Sequence, residues 1–374
     1  MKRFATWSGC SLSLLTVVAF LFGQPVAWVQ AALIVWDVAA GSQPTLWKEV
    51  TTEPRSYATL WPDASGGGEG DIYIPSRPAR AAMVLVPGAA VMGRDEPRLQ
   101  ALARTFARAG FVVLVPELPE VRRLALSRKD ADRVASALRQ LRKWQPSVPL
   151  GVAAVSYAVA PAMIAAIEDD IAPALSFVLA IGGYRDAESV IRFVTTGAYR
   201  PQGDGRELRA EPNSYGRWAF VLANAGRLDS PRDSHLLQEI ARRRYSDRTA
   251  DISRLASELG PQGRAVLALV ENGDPDAVRG LIAGLPETIW REIDGLDLAL
   301  YDLSKLRGHL ILVHGRGDPL VHYSESQGLA AAASQARVSL FVVDDIGHVE
   351  FTAVSVANGW KVWQAVLAML NERR

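Results

Sequence analysis

The chain is almost without cysteine, and its charges nearly cancel. Among its 374 residues the one cysteine, Cys10, lies close to the N-terminus. The body of the protein therefore has no disulfide, no thiol nucleophile and no thiolate metal site. Its five histidines show no H-x-x-x-H or H-E-x-x-H spacing, so no pair shares a helix face as metal ligands would. A formal net charge of +1 provides no field to attract nucleic acid or an acidic substrate. The densest basic stretch, "ARRRYSDR" from Ala241 to Arg248, alternates with helix formers and reads as a solvated helix face. There is no internal repeat and no low-complexity tract. The expectation is chemistry without cofactor or metal, and no nucleic-acid partner. Nothing in the sequence sets an oligomeric state.

What is present is a core. Hydrophobic residues make up 49% of the chain and charged ones 22%, as in a globular protein large enough for one α/β domain with an insertion. At the N-terminus, Lys2 and Arg3 precede the apolar run "LSLLTVVAFLF" (Leu12 to Phe22). Gly23 and Pro25 follow, and no charge returns until Asp37. Residues 1–31 read as a signal peptide with a small-residue cleavage point after Ala31, or, if uncleaved, as an N-terminal membrane anchor. The protein is then expected to be exported, periplasmic or secreted, or attached to a membrane through that segment. Residues 32–55 read as a linker.

Beyond it, "SYATLW" and "DIYIP" read as strands joined by the glycine-rich turn "PDASGGGEG". "AAMVLVPG", "FVVLVPELP", "PLGVAAVS" and "LSFVLAIGG" are short continuous apolar runs, as in strands buried on both faces. The segments between them have helical periodicity. Strand alternating with helix predicts a doubly wound, mostly parallel sheet covered by helices. From residue 183 to 305 the alternation lapses and helical segments dominate, which predicts an inserted, mainly helical cap. The sheet resumes with "HLILVHG", a helix, "VSLFVVDD" and a final helix. The domain reading is a core in two parts, residues 56–182 and 306–374, around that insertion.

One junction stands out. In "LGVAAVSYAVAPAMIAA" (Leu150 to Ala166) a buried strand reaches a lone hydroxyl, Ser156, and leaves as an alanine-rich helix. Here the chain resembles the α/β-hydrolase superfamily, over about 56–182 and 306–374. In that fold the nucleophile sits on a sharp strand-to-helix turn within G-x-S-x-G. The corresponding residues are Ala154, Val155, Ser156, Tyr157 and Ala158, with alanine, one methyl larger, in place of each glycine. "ILVHGRGDPLVHYSES" resembles the loop that carries the acid, Asp318, and "VVDDIGHVEF" the loop that carries the histidine, His348. The order Ser156, Asp318, His348 is the order of that fold.

The resemblance implies a division of labour. His348 would take the proton of Ser156 and later return one to the leaving group, and Asp318 would orient the imidazole. The oxyanion would be held by the backbone N–H groups of Tyr157 and Ala89, the latter in "VPGAAVMG" where Pro87 replaces a customary histidine. Of the other candidates, Asp344 and Asp345 read as turn residues and His314 as structural or a wall of the site. His322 reads as exposed or capping, and His309 and His235 as surface positions. Trp218, Phe220 and Trp290 could line an apolar pocket in the cap, or pack the cap's own core. The implied activity is hydrolysis of small or medium acyl esters by a serine hydrolase, carboxylesterase- or lipase-like. The same residues would serve acyl transfer or amide cleavage, and the altered elbow leaves room for a binding or scaffold protein that keeps the fold without catalysis.

Overall fold

The computed structural model describes residues 25–63, 67–88, 91–125, 127–201, 203, 205–344, 347–348 and 356–373. Ala89 and Asp345, two residues singled out above, lie outside them, as does Cys10.

The sheet is built from the apolar runs. An antiparallel arm, β1 (Arg55–Trp61) and β2 (Gly68–Ile74), leads into β3 (Ala81–Val86), β4 (Phe111–Pro116), β5 (Leu150–Val155) and β6 (Leu175–Ile181). After the insertion come β9 (His309–Gly315) and β10 (Arg337–Val343), with β7 (Ala198–Tyr199) and β8 (Leu208–Arg209) forming a separate small pair. The order across the main sheet is β1-β2-β4-β3-β5-β6-β9-β10. The β1/β2 and β2/β4 pairings are antiparallel and the rest parallel. β3, β4 and β9 are buried along their whole length because helices cover both faces. Gly151 in β5 is there for space: a Cβ would lie 2.2 Å from the Phe177 ring.

The covering helices of the first half are α1 (Pro25–Ala40), α2 (Leu46–Val50), α3 (Pro97–Arg108), α4 (Pro119–Arg122), α5 (Lys129–Trp144) and α6 (Val159–Ala166). α3 starts as sequence chemistry dictates, with Glu96 capping the Arg98 N–H and Pro97 in the first turn. The insertion consists of α7 (Ala187–Thr196), α8 (Ser214–Asn224), α9 (Pro231–Ser246), α10 (Ser253–Glu258), α11 (Pro261–Val270), α12 (Val278–Ala283) and α13 (Glu287–Gly295). α7 ends at Gly197, whose φ of +75° is the left-handed closure glycine adopts without strain. The second half adds α14 (Ser324–Ala332) and α15 (Val356–Leu370). Among the described residues no helix is long and apolar enough to cross a membrane.

The stretch read as cleavage region and linker is different. α1 runs straight across the expected cleavage point, and Ala31 and Ile34 are fully buried in the core. The indole of Trp363 on α15 donates to the Trp28 carbonyl (3.0 Å), and Arg373 reaches the Gln30 side chain (2.9 Å). Asp37, also buried, accepts from the hydroxyls of Thr45 and Thr105. The linker reading is corrected accordingly: 32–55 carries two packed helices. A charge-free run of small and apolar residues suits a cleavage region and a buried helix equally well, so the helix is not readable from the sequence. A chain beginning at Ala32 should melt about 5 °C or more below one beginning at Pro25, since it loses the packing of Ala27, Trp28 and Ala31. Equal melting temperatures would show that the first half of α1 contributes nothing.

Candidate active site

β5 delivers Ser156 to the edge of the core. Val155 is still extended (φ −125°, ψ 132°); Ser156 has φ +57°, and a 3₁₀ turn, Ser156–Ala158, leads directly into α6. A left-handed conformation at a residue with a Cβ costs on the order of 1–2 kcal/mol. It persists because the strand before and the buried helix after it over-determine the turn. The alanines fit where glycines are customary. Ala154 lies in register between Val86 and Ala180, Ala158 is fully buried, and neither methyl displaces a strand. The Tyr157 N–H begins the turn immediately after the hydroxyl. Gly88, just before the undescribed Ala89, runs close to the elbow, since a Cβ there would lie 3.3 Å from the Val155 carbonyl oxygen.

Three distant segments meet at this turn. Ser156 Oγ lies 2.5 Å from His348 Nε2, and His348 Nδ1 lies 2.7 Å from Asp318 Oδ2. The other carboxylate oxygen of Asp318 accepts the backbone N–H groups of Leu320 (2.8 Å) and Val321 (2.9 Å), which fixes its plane. Burial alone would push the Asp318 carboxyl up. Hydrogen bonds from His314 and His348 outweigh it and hold the group well below the usual carboxylate range. Asp318 is thus a buried carboxylate, held as the anion near neutral pH, against an imidazole whose far nitrogen faces a hydroxyl.

No protein-family model and no curated protein sequence matches the chain. Solved structures do. A Legionella pneumophila protein described as a candidate hydrolase superposes with a TM-score of 0.54 at 13% identity, over 90% of this chain and 94% of its own. The chain has the α/β-hydrolase fold. An esterase from Pyrobaculum calidifontis aligns over 92% of this chain and 90% of its own, at 14% identity and a TM-score of 0.46. The acylaminoacyl peptidase of Pyrococcus horikoshii aligns over 86% of this chain at 9% identity and a TM-score of 0.47. This chain spans only about two fifths of that peptidase, 41% of its length.

In this α/β-hydrolase fold the helical insertion lies over the Ser156 elbow and, with the core, lines a chamber of about 240 Å³ with Ser156 and His348 in its wall. The wall is almost wholly apolar, contributed by α7, α8, α11 and α13 from the insertion and by Tyr157, Leu320 and Val321 from the core. Of the aromatic residues singled out in the insertion, Phe220 lines the chamber. Trp218 is buried in the insertion's own core and Trp290 packs against the main one.

The remaining candidates sort by burial. His314 is fully buried, hydrogen-bonded to Ser326 (2.6 Å) and the Val321 carbonyl (2.8 Å), and stands 3.5 Å from Asp318. It supports the carboxylate from below. His322, expected to be exposed or capping, is buried. The capping alternative fits, since His322 accepts the N–H of Ser324, the first residue of α14 (3.3 Å); it also stacks on Tyr199 at 3.5 Å, and burial lowers its imidazole to about 4. His309, expected at the surface, is also buried, between Glu372 and Ser339 at 2.9 Å each. His235 is exposed. Asp344 pairs with Arg316 (2.5 Å) and Lys361 (2.8 Å). Among the described residues no group of three or more His, Cys, Asp or Glu is placed to hold a metal ion.

Sequence reasoning missed one carboxylate altogether. Asp130, in the first turn of α5, is fully buried, and neither of its oxygens has a hydrogen-bond partner. The hydroxyl of Tyr157, the residue after Ser156, acts on it and also accepts the Ser127 N–H (3.0 Å). Burial first, then the charge of Glu120, raises the Asp130 carboxyl to about 7; Arg133 pulls it down and Glu292 up. The folded protein therefore holds this proton up to about pH 7, whereas the unfolded chain releases it near pH 4. Stability falls as pH rises through that window, and the cost is complete above it. Asp130→Asn should be more stable than the parent by on the order of 1–3 kcal/mol at pH 8 and nearly equal to it at pH 4.5, as read by thermal melts. A pH-independent difference would remove the titration of Asp130 as its cause.

Proposed function

We propose that the protein is a serine hydrolase that cleaves carboxylic esters through an acyl-enzyme on Ser156. The observation that carries this reading is the unbroken contact Ser156–His348–Asp318 at the wall of an apolar chamber. A serine hydroxyl is too weak an acid to attack alone. With its Nδ1–H donated to Asp318, His348 presents a free Nε2 to the Ser156 O–H and takes its proton as Oγ bonds to the ester carbonyl carbon. The carbonyl oxygen becomes an oxyanion held by the Tyr157 N–H and a second donor from the segment after Gly88. Collapse of the intermediate breaks the C–O bond to the alcohol, which leaves with the proton from His348. Water then repeats the sequence in place of the alcohol and frees Ser156.

The contact between Ser156 and His348 favours this reading over that of a binding protein that retains only the fold. The apolar wall favours an ester over a peptide, whose amide groups would be buried there without partners. No step calls for a metal, so chelating agents should leave the rate unchanged. The decisive experiment is labelling with a small fluorophosphonate followed by peptide mapping. A single adduct on Ser156 is expected, and well-folded protein that takes no label would overturn the assignment.

A further inference from the structure

We infer that the substrate's acyl group is an unbranched or lightly branched apolar chain of on the order of eight carbons, housed in the chamber between the helical insertion and the core. The inference rests on Ser156 being the nucleophile and goes beyond it to the substrate class.

Size is the first argument. A water molecule's share of liquid volume is about 30 Å³, and a methylene takes nearly as much. A chamber of about 240 Å³ therefore has room for a chain of on the order of eight carbons. Acetyl or propionyl groups would leave most of it empty.

Chemistry is the second. Three polar side chains in the wall, Thr195, Asn224 and Arg217, are turned to the protein's own backbone. Thr195 donates to the Ile191 carbonyl (2.8 Å) and Asn224 to those of Phe220 (2.9 Å) and Leu124 (3.2 Å). Arg217, the charged member of the described wall, donates from Nη1 to the Val270 carbonyl (3.1 Å) and lies over the Trp218 ring. Only its Nε–H is buried without a partner. A sugar, a peptide or a phosphate would bury more donors and acceptors here than the wall can receive, whereas a hydrocarbon chain would not.

Position is the third. In the two half-reactions the acyl group stays on Ser156 while the alcohol departs and water enters. An apolar chamber roofed by the insertion suits the part that stays, and would retard a leaving group that had to clear it at each turnover.

The test uses the full chain and three ester series: p-nitrophenyl esters of two- to twelve-carbon acids, acetate esters of one- to eight-carbon alcohols, and p-nitrophenyl monoesters of dicarboxylic acids. Active enzyme is counted beforehand by titration with a small fluorophosphonate. In the first series kcat/KM should rise by up to about fourfold per methylene to a maximum near eight carbons. It should fall where the chain outgrows the chamber. Val190→Phe on α7 and Val266→Phe on α11, both half-buried in the wall, should each lower the octanoate-to-acetate ratio of kcat/KM at least tenfold. A flat acyl profile on fully titratable enzyme would overturn the inference and leave the nucleophile assignment intact. So would a length preference confined to the alcohol series. A preference for the dicarboxylic monoesters would overturn it in favour of a chain ending in an anion paired with Arg217. Enzyme that takes no phosphonate fails at the earlier step, the nucleophile itself.

Discussion

Ser156→Ala is expected to lower kcat/KM for a medium-chain acyl ester by a factor on the order of 10⁵ to 10⁶ and to abolish phosphonate labelling. Alanine removes the one atom that bonds to the acyl carbon. It leaves the chamber, the Tyr157 N–H and the His348–Asp318 pair in place, so the small remaining rate would come from water activated by His348 in a prepared site. Because alanine keeps a Cβ at φ +57°, the strain of the turn remains and stability should change little. Ser156→Gly should be as inactive as the alanine variant and as stable or up to about 1 kcal/mol more stable, since glycine adopts that backbone freely. Activity per mole of purified protein, with melts of both variants, separates chemistry from folding. Substantial ester hydrolysis by either variant would place the nucleophile elsewhere.

The second large effect is expected at Asp318. Its Oδ1 is held by two backbone N–H groups, so in Asp318→Asn the amide oxygen takes that place and the NH₂ turns toward His348. Facing a donor, Nδ1 must become the acceptor, and the imidazole proton moves to Nε2. Nε2 can then no longer take the Ser156 proton. A fall in kcat of about 10⁴ follows, with KM little changed. The carboxylate also stabilises the fold. Its pKa is depressed in the folded protein, so its contribution is present above the unfolded value of about 4 and lost as pH falls through the acid range. The melting difference between parent and variant should be largest at pH 7 and shrink below pH 4. An active Asp318→Asn enzyme would mean that His348 is oriented by something other than this carboxylate.

How much of this was legible in the chain varies element by element. β3 through β6 and β9 are visible because strands buried on both faces must be apolar throughout, β10 at the sheet edge because it is a short run rich in β-branched and apolar residues, and the helices between them carry their own start and stop residues. Ser156, Asp318 and His348 are visible because each follows such a strand, where a parallel sheet gathers its loops at one rim. α1 is not: its apolar residues before Asp37 fit export machinery and a packed core alike, and the contacts of Trp28 and Gln30 with the C-terminal region belong to tertiary packing. The histidines show the same limit. His309 looks like a surface residue along the chain and His322 like an exposed or capping one, and both are buried by partners as far off as Glu372 and Tyr199.

The sequence by itself determined the alternation of strand and helix, the interruption between the two halves of the sheet, and which hydroxyl, imidazole and carboxylate stand at strand ends. Those are local properties, written in periodicity and in the few residues that begin or stop an element. Only the tertiary structure decided that the three groups touch, that Asp130 is buried beside the elbow, and that the insertion closes an apolar chamber over Ser156. Each of these depends on atoms brought together from positions tens to hundreds of residues apart. Such proximity is set by how whole elements pack, and no window of sequence contains it.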